Sequence, residues 1–171
     1  MNMRLKLAAL AAAAVLLCAG CGAGRAGAET GPLCQDAASL QQAAARAADQ
    51  LGRPGQAQAL TAGQICRLLG LKQGDLRAAA GCMVLEDGAP QQVLVLCPRP
   101  GAAPRAQRAL EDRLELVRQT CAAWLAEESG PARCGEVFWA GGCVCLTAAG
   151  GSGTEDCLAQ AREVLTRALG G

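Results

Sequence analysis

Histidine and tyrosine are absent from these 171 residues, phenylalanine occurs once and tryptophan twice. Each shortage removes a class of function. Without histidine there is no Ser-His-Asp or Cys-His catalytic unit, no imidazole metal ligand and no imidazole proton shuttle. Without a set of aromatic rings there is no stacking platform for single-stranded nucleic acid. An excess of one charge is lacking too: 16 Lys+Arg stand against 15 Asp+Glu. No basic surface gathers phosphates, and no nucleic-acid partner is expected. Ser39, Ser129 and Ser152 are the only serines, and none sits in a G-x-S-x-G elbow. No apolar run reaches the ~18 residues that a membrane-spanning helix needs.

What is present first is an address. Met1 to Lys6 is a short segment made positive by Arg4 and Lys6, and Leu7 to Gly20 is an apolar run. Together they read as an export signal. Two cleavage points compete. Ala26-Gly27-Ala28 is an A-x-A site that would release a soluble protein, but it lies late, well beyond the apolar run. Cys18-Ala19-Gly20-Cys21-Gly22 resembles a bacterial lipobox, departing from it only where Cys18 replaces the usual leucine. The second reading is preferred: residues 1–20 are a lipoprotein signal peptide, and the Cys21 thiol carries diacylglycerol. Acyl chains of palmitate length anchor stably when two are present, where one would not. The mature chain then has a formal charge of −1. It sits on the extracytoplasmic face of the cell membrane, with the membrane as its first partner. Residues 21–32 are Gly/Ala-rich and read as a flexible tether.

Residues 33–171 read as a single α+β domain. From Leu33 to Leu51 the residues Leu33, Ala37, Leu40, Ala44, Ala47 and Leu51 recur at spacings of four and three, which lays an apolar stripe on a helix. Thr61-Ala-Gly-Gln64 is a capping-box pattern opening a short helix with Ile65, Leu68 and Leu69 inward and Gly70 closing it. Cys82–Glu86 and Gln92–Cys97 flank Asp87-Gly88-Ala89-Pro90 as a hairpin. Pro104 to Glu127 is the strongest helix, with Leu110, Leu114, Val117, Cys121 and Leu125 inward and Arg108, Glu111, Asp112, Glu115 and Arg118 solvated. Gly141-Gly142 joins Glu136–Trp139 to Cys143–Ala148 in a second hairpin. Ser152-Gly-Thr-Glu155 opens a last helix with Leu158, Ala161, Leu165 and Ala168 inward. The resulting expectation is a four-stranded antiparallel sheet in β-β-α-β-β-α order, its two helices on one face and the N-terminal helices on the other. In Gln92–Cys97 both alternating sets, Leu94/Leu96 and Val93/Val95/Cys97, are apolar, so that strand wants cover on both sides.

Eleven cysteines are the unusual chemical feature. Loss of Cys18 and lipidation of Cys21 leave 34, 66, 82, 97, 121, 134, 143, 145 and 157. Three readings compete: small apolar core residues, disulfides, or metal ligands. The first leads, since free cysteine is among the most buried residue types. Export argues for oxidation, with an odd thiol left over. The mature chain has no C-x₂-C pair, so no metal or other cofactor is expected. The close pair is Cys143 and Cys145, on one sheet face. With a two-residue turn, Cys145 faces Glu136 or Phe138, while Val144 and Leu146 share the opposite face with Val137 and Trp139. That second face should lie under the long helices, and the cysteine face under the N-terminal helices or a partner.

Other constellations are weaker. Gly150 to Thr154 resembles a phosphate cradle but lacks its lysine, and reads as loop plus cap. Glu86-Asp87, Glu111-Asp112, Glu127-Glu128 and Glu155-Asp156 do not converge as a catalytic carboxylate pair must. Trp124 and Trp139 read as core packing, with exposed anchors as the alternative.

Leu69-Gly-Leu71 with Asp75, the run from Gln92 to Leu96 continuing into 103–125, and Gly141-Gly142-Cys143-Val-Cys-Leu146 resemble the small lipoproteins of Gram-positive anaerobes that carry a domain of unknown function. The chain departs from that plan at Gln91-Gln92 and Trp124-Leu125. The resemblance implies location and topology, and carries over no activity and no site residue. The expected function is a non-enzymatic binding or scaffolding module of the cell envelope, with an envelope protein as partner. The alternative is a thiol-dependent redox or metal-handling protein using Cys143 and Cys145.

Overall fold

The structure is a computed structural model that describes residues 36–51, 56–84, 91–124, 134–150 and 154–170. The signal peptide, Cys18, Cys21, the Ala26–Ala28 site, the tether and Cys34 lie outside the described residues. So do residues 85–90, 125–133, 151–153 and the side chain of Trp124. From residue 31 onward the chain clusters as one compact unit. No helix among the described residues is long and apolar enough to cross a membrane.

Helix α1 (Ala37–Gln50) begins where Asp36 accepts a hydrogen bond from the Ser39 N–H, 2.8 Å away. That bond satisfies one of the open donors of the first turn. Strand β1 (Gln58–Leu60) follows, then helix α2 (Ala62–Leu69). Both arms of the Thr61/Gln64 capping box are made, and Gly70 closes the helix at φ +64°, a conformation costly for any residue with a Cβ. After a 3₁₀ turn (Gln73–Asp75) come β2 (Leu76–Val84) and β3 (Gln91–Pro98), helix α3 (Ala103–Trp124), the hairpin β4 (Gly135–Ala140) and β5 (Cys143–Ala148), and helix α4 (Thr154–Gly170).

The sheet has five strands in the order β1-β2-β3-β5-β4, every neighbouring pair antiparallel. The α+β class stands as expected, but the four-stranded count does not. Gln58-Ala-Leu60 is too short to show alternation and forms a strand only because it pairs with Gly81, Cys82 and Met83. Strand β2 also starts at Leu76 rather than Cys82. The stretch Ala78-Ala-Ala-Gly81 has poor strand propensity. It is held by pairing with β3 along its length, by β1 at Gly81, and by the Gln41 side chain of α1, whose amide donates to Gly81 O at 3.0 Å and accepts from Gly81 N at 3.3 Å.

Two buried clusters sandwich the sheet. On one face α1 and α4 cover Cys82, Val93, Val95, Cys97, Phe138, Cys143 and Cys145. On the other α2 and α3 cover Leu94, Leu96, Val144 and Leu146. Of the five residues expected inward on the long helix, Leu110, Leu114, Val117 and Cys121 are buried there, and Leu125 lies outside the described residues. The pairing of helices corrects the expectation: α4 sits with α1, not with α3. The physical reason lies in the connection. Strands β3 and β4 both run antiparallel to β5, so they are parallel to each other and α3 is a crossover, a connection with a fixed hand. Once α3 occupies its face, α4 takes the other. On α4 Ala168 packs half-buried against the core as expected and Leu169 beyond it is buried too, while on α2 Leu68 is exposed rather than inward.

Candidate functional site

The cysteine pair singled out from the sequence lies in the face beneath α1 and α4. Gly141 and Gly142 at φ +53° and +75° form the two-residue turn, which sets Phe138 opposite Cys145 and Ala140 opposite Cys143. On the other side of β5, Val95 stands opposite Cys145. Continuing that register brings Cys97 opposite Cys143, and these two form a disulfide with Cα atoms 4.5 Å apart. Cys143 and Cys145 are therefore not a thiol pair: Cys143 is bonded across strands, and Cys145 is a buried thiol. Burial pushes the Cys145 pKa up to about 12. Burial likewise raises Cys82, partly offset by the hydrogen bond from Gln41. A reactive cysteine needs a stabilised thiolate and access, and these sulfurs have neither. Among the described residues, no group of three or more Cys, Asp or Glu is placed to hold a metal ion.

The opposite face carries a surface feature that the sequence reading missed. Where α2 ends against α3, a groove of about 370 Å³ opens between Leu68, Leu69, Gly70, Leu71 and the outward side of α3. Of the three large exposed apolar side chains among the described residues, Leu68 at 37% and Leu116 at 51% exposure belong to it. Arg105, Arg108 and Arg113 line the same groove, with Asp112 the one acid. Arg105 is tied to Asp75 by an ion pair of 2.9 Å. Arg113 bends inward and donates from Nε to Gln92 Oε1 at 3.1 Å, and its burial lowers the guanidinium pKa from the usual range. Arg108 is exposed. The groove thus combines an apolar floor with cationic walls. Its one sequence signal is Leu116, an apolar residue on the solvated side of an otherwise regular stripe.

Trp139 is the third exposed apolar side chain, at 46%, which overturns its assignment to the core. It stands on edge strand β4 and its indole N–H donates to Gln107 of α3 at 2.9 Å, a partner available only at the surface. On the same strand Glu136 takes a 2.7 Å ion pair from Arg162 of α4, whose guanidinium also lies 5.1 Å over the Phe138 ring. In comparisons with known proteins, no family model, no curated protein and no solved structure matches the chain.

Proposed function

We propose that the mature protein is a non-enzymatic binding module, held by lipid on Cys21 at the extracytoplasmic face of the cell membrane. It meets an envelope protein through the α2/α3 groove. The observation that carries this reading is the exposure of Leu68 and Leu116 beside Arg105 and Arg108. Clustered apolar exposure of this kind marks contact surfaces rather than ordinary solvated helix. The cationic rim favours a partner that presents carboxylates around an apolar side chain, since charge complementarity sets orientation and on-rate. The lipobox-like Cys18 to Gly22 and the resemblance to small Gram-positive lipoproteins support the same location. The redox alternative loses its footing because the sulfurs it would use are buried under α1 and α4.

Site-specific photo-crosslinking in intact cells tests this reading. A crosslinker at Leu116 should yield a discrete adduct that is absent with a crosslinker at exposed Glu163 on α4 and lost in Arg108→Glu. Equal adduct patterns from both positions would refute the groove. The anchor is tested separately: Cys21→Ser should give an unprocessed or shed protein, and a membrane-retained, mature-sized product would overturn it.

A further inference from the structure

Two further cysteines meet on the α2/α3 side of the sheet, away from the Cys97–Cys143 bond. Cys121 lies in the last turns of α3, and Cys134 immediately precedes β4. Both are buried in the same cluster, at 1% and 5% exposure. Strand alternation alone would not bring them together. On β4 the even positions Phe138 and Ala140 face α1 and α4, so Cys134 would face that way too. Gly135 breaks the alternation. Its φ of +148° is open to glycine and strained for other residues, and a Cβ there would lie 2.3 Å from Thr147 O. The inversion turns the Cys134 side chain to the α3 side, while its carbonyl still accepts from Ala149 N at 3.0 Å. There it shares a buried cluster with Cys121, whose pKa is pushed up by burial and by the neighbouring Cys134 thiol.

We propose that Cys121 and Cys134 are a disulfide-forming pair, a covalent clasp between the end of α3 and the residue that leads into β4. The co-reactant is a disulfide, small or protein-borne. One cysteine thiolate attacks a sulfur of that disulfide and displaces the first thiolate, which takes up a proton. The second cysteine, as thiolate, then attacks the mixed disulfide and displaces the other. The balance is two cysteine thiols and one disulfide giving one protein disulfide and two small thiols. Reaction requires the last turns of α3, where Cys121 lies, to open transiently, since helix ends are the low-stability part of a helix. The reaction should quicken about tenfold per pH unit over the neutral range, because burial and the neighbouring thiol push Cys121 up to about 11 and only the thiolate attacks.

Peptide mapping of the wild-type chain decides the matter. Cleavage after glutamate places Cys121 alone in peptide 116–127 and Cys134 alone in 129–136. After treatment of the native protein with oxidised glutathione and alkylation of remaining thiols, most of 116–127 should be recovered joined to 129–136. The joined mass should equal the two peptides less two hydrogens, and the species should vanish on reduction. Recovery of 116–127 as an alkylated or glutathione-bearing peptide, or joined to any other cysteine, would overturn the pairing. Cys134→Ala adds a second reading: its 116–127 should come off alkylated or glutathione-bearing, and a joined species would again refute the clasp.

Discussion

The two faces of the sheet are covered by helices of different character, and the difference separates what holds this protein together from what it shows to others. Over the cysteine face, α1 contributes Leu40, Ala43, Ala44, Ala47 and Ala48, mostly single methyl groups. Small side chains let a helix sit close to a sheet and leave little unfilled volume. Gly141 extends the same theme, since a Cβ there would meet Leu169 O at 1.9 Å. Sulfur atoms fill the remaining space, one pair of them bonded. Over the other face, α3 and α2 bring larger side chains, and the two helices part enough to leave Leu68 and Leu116 in water. The small-residue face buries its sulfur-bearing core beneath a largely polar cleft between α1 and α4, whereas the opening on the large-residue face exposes leucines.

The comparison can be broken most directly at one wholly buried leucine from each face. Leu40 and Leu110, each wholly buried on opposite faces, should each lose roughly 2–5 kcal/mol when cut to Ala, the cost of lost transfer energy plus a cavity. Urea midpoints measure it, and a cost under about 1 kcal/mol at either would mean that face is not core. A sharper test adds volume instead. Ala44→Leu on the cysteine face should destabilise by about 1–3 kcal/mol through overpacking. Ala109→Leu, in the lining of the open groove, should change stability by under about 0.5 kcal/mol. Equal costs would show that the groove is filled as tightly as the other side.

Alkaline pH probes the cysteine face through Cys145. Its folded pKa is raised to about 12, so the stability linked to its neutral form is fully present below the unfolded thiol value near ~8.5. As pH rises from there towards about 12 that stability is lost, by at most about 1.4 kcal/mol per pH unit. Cys145→Ala should flatten this slope in denaturation curves taken between pH 8 and 11, and an unchanged slope would show that this thiol is not sealed from water. The smallest effect belongs to the open face. Leu116→Ser should move stability by under about 0.5 kcal/mol, measured by thermal midpoint, yet abolish the adduct formed by a crosslinker placed at Asp112 in the same groove. A large stability loss would make Leu116 a packing residue instead.

Much of the helical content was legible because its signals are local. The Thr61/Gln64 box, the Gly70 stop, the stripe from Leu110 to Cys121 and the Gly141-Gly142 turn each act over a few residues, and each appears where the sequence puts it. The facing of Cys145 was legible only as far as Glu136 or Phe138; the turn at Gly141-Gly142 selects Phe138 and with it every partner along the hairpin. Strand β1 and the first half of β2 were not legible. Gln58-Ala-Leu60 and Ala78-Ala-Ala-Gly81 carry no strand pattern of their own and are strands by virtue of their neighbours. Trp139 was misread because aromatic size argues for burial, while a hydrogen bond to Gln107, distant in sequence, holds it at the surface.

By itself, the sequence determined the α+β class, the opening and closing of the short helix at Thr61 and Gly70, and the two apolar faces of β3, all consequences of local pattern and periodicity. Only the tertiary structure decided which helix covers which face, because the crossover through α3 is a property of strand order and not of any segment. It alone joined Cys97 to Cys143, sealed Cys145, and turned Cys134 towards Cys121 through the backbone of Gly135. Cysteine spacing along a chain carries no information on such pairings, whereas strand register and one inverted glycine fix them in space.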